Sequence, residues 1–275
     1  MKHYIITLFN LKLTWGGVDY ASNENYLSRR FDLFEHYTMP SIIGQTNQHY
    51  TWLVLFSAST PDTYKNRIAG YVKRYPNFKP LLIEDSKARN FREELRKYIK
   101  ENTNDECVVT TRCDNDDILN IHYIEEVQKN IQEGTEYILS FPNGYQYDKA
   151  RNVLRKYYFP TSHFTTFVSN GKEKNIYDFL HMKIYDEARV IQMETVPFWV
   201  EVIHGENVFN CMGGTKFADY QKEFALIHEF NVDISGKFNT VQLWIMYIYY
   251  LVHKIYQKKN RISEYLKRKV ISKKG

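Results

Sequence analysis

The sequence is short of cysteine, of long apolar runs and of basic residues in its main body, and each scarcity excludes a class of protein. Cys107, Cys113 and Cys211 are its three cysteines, with no CxxC pair among them. An odd number without paired spacing argues against a disulfide framework or a zinc site and suits a reducing cytoplasm. The opening apolar run, Ile5 to Phe9, has no small-residue cleavage site after it, so it reads as a first strand and not as a signal peptide. The aromatic and aliphatic stretch Trp244 to Val252 falls short of the roughly 20 residues that a membrane span needs. A GxxxxGK[ST] loop is missing, which excludes P-loop phosphate binding. Internal repeats and low-complexity linkers are missing too, and this favours one fused domain.

Basic residues are scarce where a nucleic-acid enzyme would spread them. The net charge is +5, but residues 254 to 275 hold nine Lys or Arg and one acid, Glu264, so the other 253 residues carry −3. No nucleic-acid partner is expected.

What is present is a core. The chain is 43% hydrophobic, ample for one large α/β domain of 275 residues. Its 23 tyrosines fit a tyrosine-rich core, a stacking site for a sugar or base being the alternative. Short, partly β-branched runs at Ile5 to Phe9, Thr51 to Ser57, Lys79 to Glu84 and Glu106 to Thr111 alternate with helical patterns at Tyr26 to Ser41, Pro61 to Arg74, Ser86 to Glu101 and Asn120 to Gln132. That alternation predicts an α/β fold with a mostly parallel central sheet and helices on both faces. Beyond Asp117 the pattern changes. Tyr137 to Ser140 predicts a strand, Phe141 to Tyr145 (FPNGY) a turn, Tyr157 to Val168 paired strands, Ile176 to Arg189 a helix, and Phe198 to Ile203 (FWVEVI) a further strand. The expected organisation is a catalytic domain over 1–235, with a ligand-binding half to about residue 119 and a completing half over 120–235, followed by a helical basic tail over 236–275.

The densest chemistry lies in TTRCDNDDIL, residues 110–119, where Asp114, Asp116 and Asp117 directly follow a buried apolar run. Carboxylates so close repel one another unless they are solvated or hold a cation, and carboxylate oxygens suit Mg²⁺ and Mn²⁺. In extended geometry Asp114 and Asp116 point the same way and can share one ion, whereas Asp117 faces elsewhere unless the backbone turns. The competing reading has Asp116 and Asp117 cap a helix starting near Ile118. That accounts for one carboxylate, not three.

Several blocks together resemble a known family: Arg30 to Glu35, Tyr37 to Ser41, Gln45-Thr46, Trp52, TTRCDNDDIL, FPNGY and Trp199 to Asn207 (WVEVIHGEN). In that order, over roughly residues 1 to 210, they are similar to the sugar transferases named the "putative rhamnosyltransferase" family, of the glycosyltransferase-A fold. The aspartate block and the tryptophan-to-HGEN block are the specific parts, and Cys113 stands where the family usually has an aliphatic residue. The resemblance implies a nucleotide-sugar donor, a glycan or lipid-linked acceptor and bacterial surface polysaccharide as product, with rhamnose a candidate sugar. It also implies a Mn²⁺ or Mg²⁺ cofactor held by Asp114, Asp116 and a late histidine, His204. A hydrogen-bonded histidine in a turn is the alternative for His204.

On this reading Phe9 and Asn10, at the end of the first strand, and Arg89, at the opening of a helix, belong to the donor pocket, although Arg89 reads equally as a solvated helix charge. Arg112 either holds the aspartate charges or touches sugar or phosphate, and Asn115 orients a neighbour or meets a sugar hydroxyl. Glu201 and Asp117 compete for the role of general base, since a carboxylate inside an apolar strand is costly unless it faces a cleft or a salt bridge. His181 is expected to be structural. The basic tail reads as an interfacial helix in peripheral contact with the inner face of the membrane, or as a helix packed on the core with a solvated end. A Mg²⁺-dependent nucleotidyl or phosphoryl transferase and a non-catalytic carbohydrate-binding module are the rival functions.

Overall fold

The computed structural model describes residues 1–13, 21–179, 183–205, 216–218, 222–234, 244–245, 248 and 251–252. The chain divides into two compact units, Met1–Ser235 and Gly236–Gly275. Strands of the first unit are β1 (Lys2–Leu8), β2 (Thr51–Ser57), β3 (Phe78–Ile83), β4 (Cys107–Arg112), β5 (Ile118–Leu119), β6 (Tyr137–Ser140), β7 (Asn143–Asp148), β8 (Val153–Tyr158), β9 (Thr165–Asn170), β10 (Val190–Gln192), β11 (Trp199–Ile203) and β12 (Lys216–Phe217). Its helices are α1 (Glu24–Leu33), α2 (Met39–Ile43), α3 (Asp62–Arg74), α4 (Phe91–Asn102), α5 (Tyr123–Lys129), α6 (Ile184–Glu187) and α7 (Phe224–His228).

The larger sheet has the order β10-β6-β9-β4-β1-β2-β3. Its pairs are parallel except where β9 inserts antiparallel between β4 and β6. Side chains alternate across it as a strand requires. Ile5 joins a core with Phe31 of α1, Ile68 of α3 and Val127 of α5, whereas Tyr4 and Ile6 join another with Leu95 of α4 and Ile184 of α6. Helices therefore cover both faces, as the alternation of apolar runs implies. The expected helix at Tyr26 to Ser41 is α1 and α2 joined through a π turn, Phe34–Thr38. Pro40 has no N–H to bond one turn back and crowds that carbonyl, and the widened turn, closed by Met39 N–H onto the Phe34 carbonyl, absorbs the conflict.

The smaller sheet runs β12-β8-β7-β11-β5. Its construction corrects four expectations. Residues 157–168 are not a pair of strands: β8 pairs with β7 here, whereas β9 pairs with β4 and β6 in the other sheet, because Phe159–Phe164 carries the chain from one sheet to the other. Asn143-Gly144 is the start of β7, not a turn, since Gly144 lies under the Trp199 indole; a Cβ there would sit 2.2 Å from the ring. The same indole donates to the Phe141 carbonyl at 2.7 Å and stacks on Phe164 at 4.3 Å, so FPNGY and the tryptophan block form one packing unit. Ile118 opens β5, paired with β11, and the next helix starts only at Tyr123, so Asp116 and Asp117 cap no helix. The described part of 176–189 is a 3-10 turn, Ile176–Asp178, opened by a reciprocal Asn175–Asp178 cap, and the short helix α6. His181, Cys211 and residues 253–275 lie outside the described residues.

The other face of the smaller sheet buries Tyr145, Val200 and Val202 against Leu33, Ile227 and Phe230. No helix among the described residues is long and apolar enough to cross a membrane.

Candidate active site

The C-terminal ends of β1 and β4 lie side by side, with Cys113 N–H bonded to the Ile6 carbonyl at 3.1 Å. Ligands bind at such strand ends in open α/β sheets. After Arg112 the backbone does not stay extended. Asp117 N–H bonds back to the Asp114 carbonyl at 3.3 Å, and this turn places the fourth residue over the first. Asp117 thereby returns to the side of Asp114, and the extended-strand pairing of Asp114 with Asp116 does not form.

Three ligand atoms converge in consequence, one each from Asp114, Asp117 and His163, all within 4.8 Å of one another. His163 Nε2 lies 3.0 Å from Asp117 Oδ2, and the Val202 N–H of β11 also donates to the Asp117 carboxylate. Asp114 is chelated by Arg112, through Nε at 3.0 Å and Nη2 at 2.9 Å. Asp116 is engaged elsewhere. Its Oδ2 accepts from Arg30 Nη1 at 2.6 Å and from His204 Nε2 at 2.9 Å. Arg30 Nη1 also donates to Asn115 Oδ1 at 3.1 Å, while Asn115 Nδ2 donates to the Phe9 carbonyl at 3.0 Å. Asn115 thus orients neighbours. Glu201, on β11, is buried and accepts a hydrogen bond from Gln146 of β7.

Among the described residues, four carboxylates (Asp114, Asp116, Asp117 and Glu201) gather here with two guanidiniums, Arg30 and Arg112. Burial pushes the Asp117 carboxyl well above its usual range, and Asp116 and Asp114 push it further. Burial also raises Glu201, with help from Asp117, to about 7. Asp116 moves the other way: burial opposes its charge, but the His204 hydrogen bond and the Arg30 charge outweigh that, holding it below the usual carboxylate range. Burial lowers His163, favouring the neutral imidazole that a metal requires.

Two carboxylate oxygens and one imidazole nitrogen that burial keeps neutral are a donor set that fits a divalent cation of the Mn²⁺ or Mg²⁺ class. An ion there would take the place of the proton shared by His163 and Asp117. The expected set of Asp114, Asp116 and His204 is instead split in the structure between this trio and the Arg30 ion pair.

The remaining expected residues sit as follows. The Phe9 ring is part of the core, 4.6 Å from Phe31 and 4.8 Å from Phe56. Asn10 is buried; its amide donates to the Ala21 carbonyl and Thr60 Oγ1 and accepts from Ser57 N–H, tying the ends of β1 and β2. Arg89 is exposed on the 3-10 turn Asp85–Asn90, past the end of β3. Gln146 and His163 had no signal of their own in the sequence, and Arg30 stood there only as the first residue of a block of the resemblance, with no role. Arg30, Gln146 and His163 lie 86, 55 and 46 positions from the carboxylates that they touch.

A family model described as "Putative rhamnosyl transferase" matches residues 18–215, which contain the whole cluster. The chain belongs to that family of glycosyltransferases. The solved structures to which the chain is similar include residues 1–349 of TarS from S. aureus, at 14% identity and a TM-score of 0.43 over 74% of this chain and 60% of that one. TarS 1–349 in complex with UDP-GlcNAc gives 15% identity and a TM-score of 0.44 over 86% and 68%. The inositol-1-phosphate CTP transferase from T. maritima gives 11% and 0.35 over 85% and 98%. The chain therefore spans about 60% of the first of these structures. None of these likenesses assigns a role to a residue. A search of curated proteins finds no match.

Proposed function

We propose that this transferase is metal-dependent and moves a sugar from a nucleotide-sugar donor to a glycan or glycolipid acceptor, in the synthesis of a bacterial surface polysaccharide. The observation that carries the reading is the convergence of Asp114, Asp117 and His163 at the strand ends, with Glu201 beside them. These three side chains would hold the cation, and a bound cation would supply positive charge for the departing diphosphate, the main electrostatic demand of the transition state. Arg112 fixes Asp114 and adds positive charge on the same side. Asp116, held by Arg30 and His204, positions the aspartate turn and takes no direct part. Glu201 accepts the acceptor hydroxyl proton as that oxygen bonds to the anomeric carbon and the bond to the diphosphate oxygen breaks. A carboxyl near 7 is suited to the task, because it is substantially ionised at neutral pH and still basic. Rhamnose, named in the family description, is the first sugar to try.

The test is donor hydrolysis and nucleoside-diphosphate binding in EDTA and across a Mn²⁺ titration. Metal-dependent release of nucleoside diphosphate and free sugar is expected, with Asp117→Asn and His163→Ala each weakening the Mn²⁺ dependence at least roughly tenfold. Full activity in EDTA would remove the metal from the mechanism. Release of nucleoside monophosphate would indicate nucleotidyl or phosphoryl transfer instead.

A further inference from the structure

The second unit presents an apolar face. Trp244, Ile245, Ile248, Leu251 and Val252 are helical, and their exposure runs from 39% for Leu251 to 62% for Trp244. Their spacing (i, i+1, i+4, i+7, i+8) puts all five on one stripe of a helix. Monomeric proteins rarely expose so many large apolar side chains together, and such a patch marks an interaction surface. The residues among them, Met246, Tyr247, Tyr249 and Tyr250, carry no charge either, whereas the sequence that follows, 254–275, holds nine Lys or Arg against Glu264 alone.

The length of the apolar run limits what it can enter. The apolar run of the sequence from Trp244 to Val252 is nine residues long, under half of the roughly 20 that a helical membrane span needs. It cannot cross, but it can lie in the interface, with Trp and Ile at the acyl boundary and the cations beside it among anionic headgroups. A protein groove would need apolar chemistry only. The +8 flank supplies complementarity to a negatively charged lipid surface.

We infer that this segment docks the protein on an anionic bilayer, with Trp244, Ile245, Ile248, Leu251 and Val252 inserted and the cations of 254–275 held at the headgroups. The inference does not depend on the reaction assigned to the first unit.

The experiment is cosedimentation of the full chain with vesicles of phosphatidylcholine alone or with 30% phosphatidylglycerol (a mole fraction of roughly one third, giving a charged surface). Binding to the anionic vesicles only, falling as salt rises, is expected. Trp244→Ser with Ile248→Ser should weaken it at least roughly tenfold for each side chain. Replacing Lys267, Arg268 and Lys269 by Gln should weaken it about fivefold per cation, roughly a hundredfold together. Donor hydrolysis in solution should be unchanged in both variants. If the serine pair fails to fold, the glutamine variant decides. Equal binding to neutral vesicles, or no loss in the glutamine variant, would overturn the inference. So would a full-chain dimer that the serine pair converts to monomer, since the patch would then be covered by a second copy.

Discussion

Glu201 carries a cost that can be measured. Its carboxyl is buried and raised from 4.5 to about 7. Below pH 4.5 it is protonated in both folded and unfolded chains and does not alter their balance. Between 4.5 and 7 the unfolded chain releases the proton and the folded chain keeps it, so stability falls by about 1.4 kcal/mol per pH unit. Across the window the loss reaches about 3 kcal/mol, and above pH 7 it stays constant. Glu201→Gln removes this loss while retaining an acceptor oxygen for Gln146. The two proteins should therefore unfold together at pH 4.5, and by pH 8 the glutamine variant should be more stable by about 3 kcal/mol, or roughly 1 M in urea midpoint at a slope of about 3 kcal/mol/M. The series belongs in EDTA, because a cation on Asp117 would relieve part of the repulsion that raises Glu201; adding Mn²⁺ should narrow the gap. The same variant should lose sugar transfer by roughly 10²- to 10⁴-fold, and wild-type turnover should rise with pH through an apparent value near 7. Parallel urea midpoints across the whole pH range would refute the buried charge, and normal turnover by Glu201→Gln would refute the base.

Gly144→Ala should be destabilising although it adds one methyl group. The Cβ would lie 2.2 to 2.4 Å from three indole atoms of Trp199, displacing a ring that stacks on Phe164 and bonds to Phe141. A cost of about 1–3 kcal/mol is expected, read by calorimetry as a fall of roughly 3–10 °C in Tm, and an unchanged Tm would show that the indole can move freely. Asp116→Asn leaves the buried guanidinium of Arg30 without its carboxylate. Urea unfolding should show a loss of about 3 kcal/mol, whereas a loss under 1 kcal/mol would mean that solvent screens the pair.

Local pattern was sufficient for the first half of the fold. The strands that became β1, β2, β3 and β4 are apolar, partly β-branched runs between amphipathic helices, and both signals are carried by neighbours in the chain. The aspartate cluster was legible for the same reason, since three carboxylates after a buried run require an electrostatic explanation wherever they fold. Which of them gather was not legible. Strand periodicity pairs Asp114 with Asp116, but the turn closed by Asp117 N–H on Asp114 brings Asp117 round instead. His163 reaches that turn because β9 inserts antiparallel beside β4, and Glu201 because β11 pairs with β5 and β7. Sheet partners are chosen by packing across the whole domain, as when the Trp199 indole settles on Gly144, and not by the alternation within one strand. The sequence by itself determined the elements and the carboxylates; tertiary pairing alone decided which side chains share a charge.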